Sequence, residues 1–279
     1  MNTVTTTPPV YIVTGATGGI GRAIVEGLIR DHAPCRIIMA VRNTSRGESL
    51  AATLHRPDSV SVDVMPLDLA SLDSVRRFAA TLTDSGTRVT ALLNNAGVMP
   101  GGVTVTADGL EIATQTNFVS TALLTHLLLP VIDDDGAIVF TTSVTRYLPR
   151  LRRDWARLAI RRHQRFVTYG RSKLMLTHYA LHLAESLKER GIRVNCSDPG
   201  VADTGIIGLG HPLIDRLADL LVRPIIHTPA QGAAPALRAL TADTTATILT
   251  YQGNSPIPRR WLDSPAHHRL MADLERYFN

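Results

Sequence analysis

Tyr169 and Lys173 stand four residues apart in a stretch of helical character, Thr168–Arg190, so they share one helix face. A phenol with a pKa of about 10 is a poor base at neutral pH. An ammonium beside it stabilises the phenolate and draws that pKa towards the working range. Ser143 lies 26 residues before Tyr169, in Thr141-Thr142-Ser143. Its hydroxyl can hydrogen-bond a substrate oxygen as charge develops on it. The three side chains together suit proton transfer at a substrate oxygen. A tyrosine and lysine at this spacing also arise by chance in many helices, so the elements that would position them matter.

Strand-like runs alternate with helix-length segments. The runs are Val10–Thr14, Arg36–Val41, Val60–Pro66, Val89–Asn94, Ala137–Thr142, Arg193–Ser197 and Ile248–Tyr251. Between them fall helical stretches at Ile20–Arg30, Thr44–His55, Leu72–Thr83, Gly109–Leu129, Thr168–Arg190 and Pro229–Thr241. This alternation predicts βαβ units, hence a mainly parallel seven-stranded sheet with helices on both faces. One doubly wound α/β domain is expected over residues 10–279, behind a short disordered tail at 1–9. Two segments, about 146–166 and 205–228, break the alternation. Both should emerge at the carboxyl ends of strands, where open α/β sheets bind ligands.

The first strand runs directly into Thr14-Gly15-Ala16-Thr17-Gly18-Gly19-Ile20-Gly21 and then a helix. Glycines there let backbone N–H groups approach a pyrophosphate, and the helix N-terminus adds its dipole. At the end of the second strand an acidic residue would take ribose hydroxyls, whereas an arginine accommodates a 2′-phosphate. Arg42 follows Val41, with no acidic residue until Glu48. Guanidinium binds phosphate bidentately and carboxylate would repel it, so the expected cofactor is NADP(H). Arg22, just inside the first helix, is a second candidate for positive charge near the phosphates.

In combination these features resemble the short-chain dehydrogenases. Thr14, Gly15, Gly19 and Gly21 match the family's T-G-x-x-x-G-x-G pattern, and Asn94-Asn95-Ala96-Gly97 matches its N-N-A-G element. Asn117 falls where the family places an asparagine that supports a proton-relay water. Asp68, in Leu67-Asp68-Leu69, resembles the adenine-contacting aspartate. Pro199-Gly200-Val201-Ala202-Asp203-Thr204 resembles the P-G-x-x-x-T element, whose threonine contacts the nicotinamide carboxamide. The resemblance implies a Rossmann-type sheet of order 3-2-1-4-5-6-7. It makes Tyr169 the general acid/base, with Lys173 lowering its pKa and binding the nicotinamide ribose, Ser143 positioning substrate and Asn117 supporting the relay. The expected cofactor contacts are Gly15, Thr17, Gly18, Gly19, Ile20, Gly21, Arg42, Asp68, Leu69, Asn95, Ala96, Gly97, Tyr169, Lys173, Pro199, Gly200, Val201 and Thr204. The long Ser143-to-Tyr169 separation is most similar to the retinol dehydrogenase-like and WW-domain oxidoreductase-like branch.

Composition narrows the alternatives. Hydrophobic residues make up 44% and charged residues 19% of the 279, enough to bury a sizeable core. Cys35 and Cys196 sit in apolar runs without paired or metal-ligand spacing, so no metal is expected and a reducing, cytoplasmic setting is. No apolar run is long enough to cross a membrane. Net charge is +5, yet residues 146–165 alone carry eight arginines and one aspartate, leaving the remainder at −2. Basicity this local argues against a nucleic-acid partner. Within that segment Leu151, Trp155 and Leu158 follow helical spacing beside Arg150, Arg153, Arg157 and Arg161. Such a stripe suits a peripheral membrane contact, an acidic substrate or an ordinary solvated face. With Leu213–Val222 as a lipophilic lid, it points to a hydrophobic small-molecule substrate. A homo-oligomer is left open. Two other functions compete with carbonyl–alcohol interconversion: an NADP(H)-binding regulatory or scaffold protein, and a carbon–carbon double-bond reductase.

Overall fold

The computed structural model describes residues 8–161, 163–200 and 228–278. Val201, Thr204, the Leu213–Val222 stretch and most of the expected tail lie outside them. The described chain alternates strands and helices. First come β1 (Val10–Thr14), α1 (Gly19–Asp31), β2 (Cys35–Val41), α2 (Thr44–Thr53), β3 (Val60–Pro66), α3 (Leu72–Asp84) and β4 (Val89–Asn94). After a long connection follow α4 (Ser120–Leu128), β5 (Ile132–Thr141), α5 (Trp155–Arg161), α6 (Arg165–Ser186) and β6 (Arg193–Asp198). The last elements are α7 (Pro229–Thr241), β7 (Thr247–Thr250), β8 (Asn254–Pro256) and α8 (Pro265–Glu275).

The sheet has eight strands in the order β3-β2-β1-β4-β5-β6-β7-β8. The first seven are parallel, as expected. The eighth, missed in the sequence, turns back antiparallel on β7 with Thr247 opposite Pro256. Asn-Ser-Pro is too short and too polar to read as a strand, and only its pairing with β7 makes it one. The α8 helix was missed as well; Ser264 caps it by accepting from His267 N.

Successive residues of each strand serve two different cores, as period-2 geometry requires. Ile12, Ile38, Leu92 and Ile138 face α3, α4, α6 and α8. Their neighbours Val13, Met39, Leu93 and Val139 face α1 and α7. Fully buried strands of this kind need no polar face, which is why they read as nearly continuous apolar runs. Cys35 and Cys196 are both buried free thiols.

The predicted helix Gly109–Leu129 begins later and is not uniform. A single turn, Ile112–Thr114, passes through a π-helical turn, Gln115–Val119, into α4. Buried Glu111 caps the first turn by accepting from Ala113 N and Thr114 N at 3.0 and 2.8 Å. Hydrophobic periodicity cannot reveal a π turn, because the apolar pattern is that of a buried helix throughout.

Candidate active site

Parallel order reverses between β1 and β4, so their connections leave in opposite directions and open a crevice at the carboxyl ends. A cavity of about 740 Å³ occupies that crevice. At one end lies the glycine-rich turn. Gly15 takes φ +65°, and a Cβ on Gly21 would fall 2.2 Å from the Gly15 carbonyl oxygen. Only glycine allows α1 to start so close to β1. Gly18 caps α1 without a side-chain acceptor, leaving the first N–H groups of a 13-residue helix directed at the crevice. Asn95 braces the turn, its Nδ2 donating to the Thr14 carbonyl at 3.0 Å, while Ala96 N donates to Thr14 Oγ1 at 3.0 Å. Such a turn can cradle a pyrophosphate.

Every described residue expected to contact the cofactor lines the cavity, from Gly15 through Arg42, Asp68, Leu69 and Asn95–Gly97 to Pro199 and Gly200. Arg22 does not; it is exposed and spent on Glu26 at 2.7 Å, four residues along α1. Its place is taken by a residue the sequence reading missed. Arg46 lines the cavity beside Arg42, and its Nη2 donates to the Thr17 carbonyl at 3.3 Å. The available signal was its position at the start of α2, four residues after Arg42.

Ser143, Tyr169 and Lys173 line the same cavity. Ser143 ends the β5 connection and caps the 3-10 turn Val144–Tyr147; Thr145 N and Oγ1 donate to its Oγ at 3.3 and 3.0 Å. That turn packs against the head of α6 at Gly170, whose absent side chain lets Thr145 approach. Lys173 is buried, and its Nζ donates to the Thr141 carbonyl at 2.7 Å, 5.7 Å from the Tyr169 ring centre. Gly97 permits this, since a Cβ there would sit 3.2 Å from Lys173 Nζ and 3.4 Å from Asn117 Oδ1.

Burial pushes the Tyr169 phenol up to about 12; nearby Asp198 adds to the rise, and a hydrogen bond with Ser143 opposes it. Burial lowers Lys173 to about 8 against the opposing pull of the Asp198 carboxylate. The sequence reading expected a phenol drawn downwards by Lys173. In the protein alone desolvation wins, and the phenol is held protonated at neutral pH.

Asn117 does not face the cavity. It is fully buried in the π turn, accepting from Val98 N at 2.8 Å and donating to the Val98 carbonyl at 2.9 Å and Ser172 Oγ at 3.0 Å. The side chain thus fixes the segment that follows Gly97 against α6. The remaining walls are largely apolar: Val98, Met99, Ile112, Val144 and Phe166, the last two 52% and 43% exposed at the mouth.

The arginine-rich segment divides. Trp155 is buried edge-on against Phe118 at 5.6 Å, and Leu151 packs on the same core. Arg150, Arg152, Arg153 and Arg161 are exposed. Arg146, counted with them in the sequence, is instead buried and paired with Asp198.

Residues 9–209 match the family model described as short chain dehydrogenase. Polyprenol dehydrogenase of Mus musculus is 36% identical over 234 residues, covering 80% of this chain and 69% of the relative. Retinol dehydrogenase 14 of Mus musculus is 32% identical over 80% of this chain and 70% of its own length. A crystal structure of an uncharacterised protein from Mycobacterium paratuberculosis superposes with a TM-score of 0.75 at 28% identity, covering 97% of this chain and 95% of that one. The chain belongs to the short-chain dehydrogenase family and is an oxidoreductase of alcohol and carbonyl substrates that works with a nicotinamide cofactor.

Proposed function

We propose that the protein interconverts a hydrophobic alcohol and its carbonyl compound with NADP(H), using Tyr169 as the acid/base group. The observation that carries this reading is the shared cavity: Ser143, Tyr169 and Lys173 line it together with the residues of the bare α1 N-terminus, Arg42 and Arg46. Two arginines with no acidic residue at the β2 end favour a 2′-phosphate over free ribose hydroxyls.

When bound, the nicotinamide supplies or takes the hydride, and its oxidised ring brings a positive charge that favours the phenolate. In the reducing direction Ser143 Oγ donates a hydrogen bond to the carbonyl oxygen, and the protonated Tyr169 OH delivers the proton as charge accumulates there. In the oxidising direction the phenolate accepts the alcohol proton. Lys173 holds its charge at neutral pH and, anchored on the Thr141 carbonyl, favours that phenolate. Asn117 keeps Val98 and the cavity wall in register. The apolar wall of Val98, Met99, Ile112, Val144 and Phe166 suits a polyisoprenoid or retinoid-like chain, the substrate class named for the two relatives.

The test is a screen of retinol, retinal and short polyprenols with NADP(H) and NAD(H), run alongside Tyr169→Phe. Turnover should need NADP(H) and vanish in the variant while NADPH still binds. Normal turnover by Tyr169→Phe would sink the mechanism, and equal use of NADH would remove the 2′-phosphate from it.

A further inference from the structure

The mechanism leaves unused a buried ion pair, Arg146–Asp198. The two side chains are 4% and 6% exposed and meet at 2.5 Å between Nη1 and Oδ2. Arg146 Nη2 also donates to Tyr147 OH at 2.9 Å, and the guanidinium lies 4.3 Å from that ring's centre. The other carboxylate oxygen accepts from Gly200 N at 3.0 Å. Arg146 Nε, though buried, has no partner among the described residues. Such a pair gains little stability over apolar side chains of similar volume, because both charges must leave water.

Its place in the fold suggests a different role. Arg146 lies three residues beyond Ser143, in the turn packed on α6. Asp198 closes β6 directly before Pro199-Gly200, which line the cavity. The pair therefore ties the Ser143 turn to β6. Thr142 N donates to the Ser197 carbonyl at 2.8 Å in the same layer, next to the Thr141 carbonyl that receives Lys173. Lys173, on the same helix, lies 5.7 Å from the Tyr169 ring; Asp198 on β6 acts on both; Cys196 on β6 lies beside Lys173; and Arg146 on the turn pairs with Asp198. Burial lifts Cys196 to about 12, so that thiol stays neutral. Asp198 pushes both Tyr169 and Lys173 upwards.

We propose that Arg146 and Asp198 are positioning residues for hydride transfer, their opposite charges setting the electrostatic balance beside Tyr169 and Lys173 while their bond holds the Ser143 turn in place. The inference rests on Tyr169 being the acid/base group. A purely structural pair would affect the site alike whichever member was removed; an electrostatic one must act with opposite signs. Asp198→Asn removes the carboxylate, so both Tyr169 and Lys173 titrate lower. Arg146→Gln leaves the carboxylate uncompensated, so both titrate higher.

The experiment follows the rise with pH of NADP-dependent retinol oxidation in the wild-type protein, Asp198→Asn, Arg146→Gln and the double variant. Phenolate formation in the NADP complex is read in parallel by ultraviolet difference titration against Tyr169→Phe, which needs no substrate. The rise should move down in Asp198→Asn and up in Arg146→Gln, each by on the order of one pH unit, and return near the wild-type position in the double variant. Each single variant has its own expected sign, so either one alone decides if the other does not fold. Shifts in one common direction, or none, overturn the inference. A Tyr169→Phe protein that still turns over, or a wild-type protein without a Tyr169-dependent titration, overturns the acid/base assignment instead.

Discussion

Replacing Gly170 with alanine sets two opposed effects against each other. Gly170 lies inside α6, between Tyr169 and Lys173, where helix propensity alone favours alanine by about 1 kcal/mol. The structure predicts the reverse outcome. A Cβ at this position would fall 2.3 Å from the Thr145 carbonyl oxygen, 3.0 Å from its carbon and 3.2 Å from Pro149 Cδ. These are backbone and ring atoms that cannot swing aside as a flexible side chain would. To restore the 3.4 Å of ordinary contact, the turn and the helix must part by at least about 1.1 Å. Overpacking of this kind costs about 1–3 kcal/mol, which cancels or exceeds the propensity gain. The melting temperature should therefore stay level or fall by a few degrees. The kinetic effect should be larger. A misplacement of about 1 Å between groups that must act together can cost about 100-fold in rate, and this one separates Ser143 from Tyr169. Steady-state oxidation of retinol with NADP, with NADPH affinity measured alongside, should show kcat down by roughly two orders of magnitude. Affinity should hardly change, because the glycine cradle belongs to α1 on the opposite face of the sheet. A Gly170→Ala protein with wild-type kcat would refute the claim that this contact sets the geometry of the site.

Three further outcomes are expected. Arg42→Asp should raise the KM for NADPH by about tenfold or more and move preference towards NADH, and Arg46→Ala should weaken NADPH without helping NADH. Matched kinetics with the two cofactors check both, and an unchanged preference in Arg42→Asp would remove that residue from the phosphate site. Acid should loosen the C-terminal helix. His178 and His267 meet at 3.2 Å between their Nδ1 atoms, and burial lowers them to about 3 and about 4. Both rings are neutral in the folded protein but take up protons readily once unfolded, below a pH of about 6.5. Stability should thus be full above pH 6.5 or so and fall as pH drops towards 4, by up to about 2.7 kcal/mol per pH unit for two protons. Urea melts across that range should show a shallower decline in His267→Asn, and an identical decline would exclude the pair as its source.

Much of this was legible in the sequence for physical reasons that differ from element to element. The parallel strands announced themselves because both their faces are buried, so Ile37-Ile38-Met39-Ala40 could hardly be anything else. The turn at Thr14–Gly21 was legible because its geometry admits only glycine at positions 15 and 21. Tyr169 and Lys173 were legible as one helix face from their spacing, and as a working pair only in combination with Ser143 and the glycine-rich turn. Three things were hidden. A π turn leaves no trace in apolar periodicity, so Asn117 could be placed near the site but not seen to be bound to Val98. The β8 strand exists only through its partner. Arg146 was hidden among seven other arginines, because burial of one charge depends on a carboxylate 52 residues away, and no local pattern reports that. The phenol's upward shift was illegible for the same reason, since burial is a property of the assembled fold.

The sheet of this protein is also a partition. The cradle grows from α1, in the layer shared with α7, while the phenol and ammonium stand on α6, in the layer shared with α4 and α8. The crevice at the carboxyl ends is where the two layers look over the same edge. Each layer keeps its own apolar core, so a packing defect on one side reaches the other only through the strands. In the proposed reaction the pyrophosphate cradle and the acid/base pair are consequently anchored in separate layers of the molecule. Sequence drift can revise one without dismantling the other.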